Sequence, residues 1–233
     1  LYILQPPVID VIIPAFNEEN AVGNVVKDLP QHLVREILVV DNNSRDDTRQ
    51  AAEAAGATVL DEPRQGYGYA CLKGIAHLKS KAIPPDVVVF IDADYSDYPE
   101  ELPLLVSHLT ENNLDLVIGS RALGKREPGS MTPQQVFGNW LATTLIEKLY
   151  GSRYTDLGPF RAVRFNKLLE MDMQDTTYGW TVEMQLKAAK LGFRTGEVPV
   201  TYRRRIGHSK ISGTVKGTLL AGYKILSWIF KYR

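Results

Sequence analysis

The stretch VVVFIDADYSDYPEEL, Val87 to Leu102, decides the reading of this chain. Five apolar residues run without interruption into Asp92-Ala93-Asp94. An apolar run with no alternation suits a strand buried on both faces, the habit of a parallel sheet. Residues i and i+2 of a strand share a face, so two carboxylates one residue apart can converge where the strand ends. Such a pair at an exposed strand end is a hard oxygen site suited to Mg²⁺ or Mn²⁺. The competing reading is a cap, with Asp94 or Asp97 accepting from the first amides of a helix that begins at Pro99-Glu100-Glu101.

Upstream, VIDVIIP (8–14) is a β-branched run that stops at Pro14, and EILVVD (36–41) and ATVL (57–60) are further strands. Between them, Val22, Val25, Val26 and Leu29 fall at helical spacing behind Asn17 as N-cap. Ser44 and Asp47 approximate a capping box for a helix that Gly56 ends. GYGYACLKGIAHLK (66–79) reads as a glycine-rich turn and helix, Pro99–Leu109 as a helix, and LDLVIGSR (114–121) as a fifth strand. This alternation predicts an α/β fold, a Rossmann-like doubly wound, mostly parallel sheet with helices on both faces. Ligands of such sheets sit outside the carboxyl ends of the strands. There the sequence gathers Glu18, Asp41, Asp92, Asp94 and Arg121.

The second half is less regular. GKREPGSMT (124–132) reads as a loop, Pro133–Leu149 as an amphipathic helix and DLGPFRAVR (156–164) as a turn into a short strand. Trp180–Leu191 is a helix. RTGEVPVTYR (194–203) is an edge strand, since Pro199 cannot donate to a ladder. No linker marks a second domain, so 1–233 is taken as one domain. Its parts are an N-terminal half (1–121), a less regular middle part (122–212) and a C-terminal helix (213–233).

The 233 residues are 44% hydrophobic and 23% charged, enough for a sizeable core. One cysteine, Cys71, excludes a disulfide framework and a multi-cysteine zinc site. No signal-peptide pattern follows Leu1, and no apolar run approaches the length of a membrane span. A cytoplasmic location is therefore expected. Net charge is zero but unevenly placed: residues 201–233 hold eight of the 27 basic residues and no acid, leaving 19 basic against 27 acidic in 1–200. Overall neutrality argues against nucleic-acid binding. YRRRIGHSK (202–210) is instead a clamp for a diphosphate, or simply a solvated basic loop. The last helix sets Lys216, Lys224, Ser227 and Lys231 on one stripe beside Trp228, Ile229 and Phe230. It fits a membrane interface or packing on the protein's own core. Gly66 and Gly68 let backbone approach a nucleotide or merely make a tight turn.

VIIPAFNEE, ILVVDNNSRDDT, GYGYA, FIDADYSDYPEEL, VIGSR, DLGPFRAVR and RRRIGHSKISGT, in this order and spacing, resemble family 2 glycosyltransferases of the GT-A fold. The closest flavour is the dolichyl- or polyprenyl-phosphate sugar synthases. The resemblance implies inverting transfer of a hexose from a nucleoside diphosphate sugar of the UDP-glucose or GDP-mannose type to a polyprenyl phosphate. It places Pro14, Ala15, Glu18, Asp41 and Gly68 around the nucleoside. It makes 1–121 the nucleotide-sugar half and 122–212 the acceptor half, with Asp92, Asp94 and Ser96 at a Mg²⁺ or Mn²⁺ ion on the diphosphate and Ala93 beside the substrate. Arg121, Arg204 and Lys210 face phosphates, and Asp156 and Arg161 border the acceptor. A phosphate acceptor is already largely ionised at neutral pH. A hydroxyl acceptor needs a base, for which Asp156 and Glu183 are the candidates. Transfer to a soluble or saccharide hydroxyl, a sugar nucleotidyltransferase and a non-catalytic binding module are the alternatives.

Overall fold

The computed structural model describes residues 6–207 and 215–232. In chain order the elements are β1 (Ile9–Ala15), α1 (Val22–Asp28), β2 (Val34–Asp41), α2 (Thr48–Ala54), β3 (Thr58–Asp61), α3 (Tyr67–Lys79) and β4 (Val87–Phe90). A 3₁₀ turn, Pro99–Glu101, leads into α4 (Leu102–Glu111), followed by β5 (Leu116–Ser120), α5 (Pro133–Tyr150), β6 (Arg161–Arg164) and α6 (Phe165–Glu170). The last are α7 (Trp180–Lys190), β7 (Thr195–Pro199) and α8 (Val215–Lys231).

All seven strands form one sheet in the order β3-β2-β1-β4-β6-β5-β7. β6 alone runs antiparallel to its neighbours, inserted between β4 and β5. The expected nucleotide and acceptor halves therefore share a sheet, which is why no linker separates them. Strand residues alternate between two cores: Ile12, Leu38, Val88 and Phe90 on one face, and Val11, Ile13, Val39, Val87 and Val89 on the other. Each side chain so buried contributes about 1.5–3 kcal/mol. The unbroken apolar run of β4 follows from burial on both faces.

Several local expectations are corrected. β1 passes through Pro14 to Ala15, because the proline's missing N–H falls where β4 pairing has already ended opposite Ile12. Asn17 is not an N-cap; it holds φ 53°, accepts from Arg45 N at 2.8 Å and donates its own N–H to Ser44 Oγ at 2.9 Å. Ser44 is thus spent lacing two loops together, and Asp46 rather than a capping box accepts from Thr48 N. The capping box that does form belongs to α5, where Thr132 and Gln135 exchange hydrogen bonds, and Gly151 at φ 72° ends that helix. α6 carried too short a pattern to be read from the sequence. Pro199 lies on an edge strand, as expected.

α8 packs on the protein. Trp228 and Ile229 are buried in the core, while Tyr223 and Phe230 remain exposed. Of the two readings offered for this helix, the indole follows the one in which it packs on the protein's own core. Among the described residues no helix is long and apolar enough to cross a membrane.

Candidate active site

A cleft of about 500 Å³ opens at the carboxyl edge of β1 and β4. Pro14, Ala15 and Glu18 form one wall, Asp92, Ala93 and Asp94 the floor, and Gly66 and Tyr67 with Thr177 and Tyr178 the far side. Asp92, half-buried, accepts from the Tyr67 hydroxyl at 3.0 Å. Burial first, and then the charge of Asp94, pushes the Asp92 carboxyl up to about 7.

Asp94 is 6% exposed. The chain turns back at Tyr95, φ 62°, so that Ser96 N and Ser96 Oγ both donate to Asp94 Oδ1, at 2.9 and 2.5 Å. Ser96 is buried beneath the carboxylate and orients it; its hydroxyl is not open to the cleft as a separate ligand. The left-handed Tyr95 costs of the order of 1 kcal/mol. Its ring is stacked on the Arg203 guanidinium, 3.5 Å from the centroid, with Tyr98 at 3.9 Å.

The three consecutive arginines divide their work. Residues 202–206 run alongside 94–97, with Arg203 N donating to Ser96 O at 2.9 Å and Ile206 N to Asp94 O at 3.0 Å. Arg205 reaches the cleft and bridges Glu18 Oε1, 2.8 Å away, and Asp94 Oδ2, 3.1 Å away. Arg204, assigned to phosphates above, points outward: its N–H and Nε donate to Glu127 and to Pro128 O. Lys210 lies outside the described residues.

Other assigned residues fall away from the cleft for definite reasons. Asp41 closes its own turn, accepting from Ser44 N at 3.2 Å. The neighbouring Asn42 lines the cleft instead and clips the 62–66 loop, donating to Glu62 O and Arg64 O and accepting from Gly66 N. That pattern needs an amide, since a carboxylate cannot donate. Gly68 makes room for protein: a Cβ there would stand 1.9 Å from Asp175 O. Arg161 is fully buried, and its guanidinium donates to the carbonyls of Leu157, Gly158 and Thr181, with burial lowering it to about 10. Glu183 is fully buried and accepts from Gln174 N and Asp175 N, with Lys187 Nζ at 2.8 Å. Asp156 is gripped by Arg121, whose backbone N, Nε and Nη2 donate at 2.7, 2.8 and 2.7 Å. Burial alone would raise Asp156, but the Arg121 charge and hydrogen bonds outweigh it and hold the carboxyl below its usual range.

The donor set fits a hard divalent cation. The charge of Asp94 bears directly on Asp92, and behind the pair Asp97 is 1% exposed with both carboxyl oxygens unpartnered among the described residues. Among the described residues no third His, Cys, Asp or Glu completes a protein-only site. Two carboxylates with water and phosphate oxygens is the usual Mg²⁺ arrangement.

The profile described as Glycosyl transferase family 2 matches residues 10–171. An uncharacterised glycosyltransferase of Mycobacterium tuberculosis (strain ATCC 25618 / H37Rv) is 35% identical over 216 residues, 91% of this chain and 94% of that protein. The undecaprenyl-phosphate mannosyltransferase of Micrococcus luteus is 31% identical over 221 residues, 88% of each chain. Glucosyl-3-phosphoglycerate synthase from M. tuberculosis, solved with Mn²⁺, UDP and glucosyl-3-phosphoglycerate, superposes with a TM-score of 0.76 at 23% identity, over 97% of this chain and 80% of that one. With its carboxylate pair at the ligand edge of a GT-A sheet, this chain belongs to glycosyl transferase family 2.

Proposed function

We propose that this glycosyltransferase moves a hexose, with inversion, from a nucleoside diphosphate sugar to a polyprenyl phosphate. Glu18, Asn42 and the 177–178 segment would enclose the nucleoside, and Asp92 and Asp94 would hold Mg²⁺ or Mn²⁺ on the diphosphate. The bound cation supplies charge neutralisation to the leaving diphosphate. Among the described residues, Arg205 is the cation placed to share that role.

One observation carries the acceptor assignment: both candidate bases are locked. Asp156 is held ionised by Arg121, and Glu183 is sealed against the 174–175 amides. A hydroxyl nucleophile would lack its base at these positions, whereas a phosphate dianion needs none. A groove of about 380 Å³ between the 122–131 segment and α5 supports the same reading. It sets Arg126 and Arg153 beside Met131, Val136 and Trp140, with Asp156 at its base. Trp140 stays exposed there, and the ring of Phe137, also exposed, lies beside it with centroids 5.7 Å apart. Cations beside an apolar rim suit a phosphate on a long hydrocarbon tail, and the rim would rest at a membrane surface.

The second reading, a small soluble phosphorylated acceptor, draws on the glucosyl-3-phosphoglycerate synthase likeness. The deciding measurement is nucleoside diphosphate release from UDP-glucose and GDP-mannose with Mn²⁺, adding polyprenyl phosphate, phosphoglyceric acid or nothing. Stimulation by polyprenyl phosphate alone is expected, and stimulation by phosphoglyceric acid alone would replace the lipid assignment.

Arg205 gives a second test. It is a counter-charge of Asp94 that a cation on the same carboxylate would compete with, so Arg205→Gln should bind Mn²⁺ alone more tightly. A partly exposed pair of about 1 kcal/mol corresponds to about fivefold. Turnover should fall, because a cation is lost from the diphosphate. Mn²⁺ titration followed by a turnover assay reads both, and weaker Mn²⁺ binding would refute the counter-charge role.

A further inference from the structure

The far wall of the cleft is held by a carboxylate that lies outside it. Asp175 is 1% exposed. Its Oδ1 accepts from Thr177 N at 2.7 Å and Gly179 N at 3.0 Å, which folds the 175–179 loop. Thr177 and Tyr178, on that loop, line the cleft. The loop also supports the neighbouring glycine turn of the same wall, since Thr176 O accepts from Tyr69 N at 3.2 Å and a Cβ on Gly66 would stand 2.2 Å from it.

The other oxygen of Asp175 belongs to the C-terminal helix. Trp228 Nε1 donates to Asp175 Oδ2 at 2.6 Å, and Lys224 Nζ lies 3.1 Å from the same atom. The indole packs directly on the loop backbone: a Cβ on Gly179 would stand 2.4 Å from Trp228 Cδ1. A buried carboxylate with two amides on one oxygen and two α8 donors on the other joins that helix to the donor wall. Neither α8 residue lines the cleft itself.

We propose that Trp228 and Lys224 are positioning residues for the donor nucleotide, acting through Asp175 on the 176–178 wall. The inference rests on the reading of this cleft as the sugar-nucleotide site. It gives α8 a role in donor affinity, separate from any contact its exposed face makes.

The test is titration of the full chain with UDP and with GDP in the presence of Mn²⁺, using Trp228→Phe, Lys224→Met and, as control, the exposed Phe230→Ala. Trp228→Phe keeps an aromatic ring in the core and removes the N–H. It should weaken whichever nucleotide the unaltered chain binds by about tenfold, the scale of a lost hydrogen bond to a charged group. Lys224→Met should weaken it by about threefold, and Phe230→Ala should leave it unchanged. Amide exchange at Thr177 and Gly179 should accelerate in Trp228→Phe, and KM for the donor should rise with kcat held. Equal nucleotide affinity in Trp228→Phe, with exchange accelerated, would reduce the contact to a structural one and overturn the inference alone. If Trp228→Phe does not fold, Lys224→Met decides, and an unchanged affinity there overturns it. Failure of the unaltered chain to bind either nucleotide would remove the donor-site reading and this inference together.

Discussion

Asp94→Asn is expected to lower glycosyl transfer by about 10³-fold, near 4 kcal/mol of barrier, while the protein stays folded. The asparagine keeps the volume and an acceptor for Ser96 N and Ser96 Oγ, so the turn through Tyr95 survives. What goes is the negative charge in front of Arg205 and the divalent cation. Removing it also relieves the repulsion that helps push Asp92 up, so thermal unfolding should stay within about 1 kcal/mol of the parent. Mn²⁺ affinity should drop in parallel with turnover. Ser96→Ala separates ligand from orienter. Its hydroxyl serves Asp94 from below, so its loss should cost only about tenfold in turnover. Transfer by Asp94→Asn within tenfold of the parent, at normal melting behaviour, would remove the carboxylate pair from the chemistry.

The fold was legible because burial on both faces leaves a short, continuous, β-branched apolar run without alternation, in β1, β2 and β4 alike. β6 was legible as a strand but not as the antiparallel insert that splits β4 from β5. Four residues carry no direction, and pairing partners are a tertiary choice. In the site, the acids at the strand ends could be placed because chain direction puts every strand end at one edge. The cations could not be placed so simply. Three consecutive arginines all suit a diphosphate, yet in extended backbone they alternate sides, so Arg203 and Arg205 face the Asp94 turn and Arg204 faces the 127–128 loop. That rule of two was available in the sequence once residues 202–206 were read as extended. Asn42 was hidden for another reason. Its value lies in donating to two carbonyls of a loop 20 residues away, which no local pattern records.

Asp156→Asn is expected to destabilise the protein by about 3–5 kcal/mol, because it leaves the Arg121 guanidinium largely buried beside a neutral amide. For a chain of this size that is a fall of about 10 °C or more in melting temperature. The pair also joins chain segments far apart in sequence. Arg121 follows β5, Asp156 sits in the turn before β6, and Glu197 of β7 accepts from Thr155 N and Asp156 N. The pH dependence follows from the sign of the shift. The Asp156 carboxyl lies below its unfolded value of about 3.9, so its contribution is complete above that pH and is lost as pH falls through the folded value. The variant should therefore lose part of the parent's acid-induced drop in stability. Arg121→Met combined with Asp156→Asn should recover much of the loss, since no unpaired charge remains. A catalytic base would behave in the opposite way: Asp156→Asn would melt with the parent and lose turnover only with a hydroxyl acceptor. Melting within about 1 kcal/mol of the parent would thus return Asp156 to the reaction and weaken the case for a phosphate nucleophile.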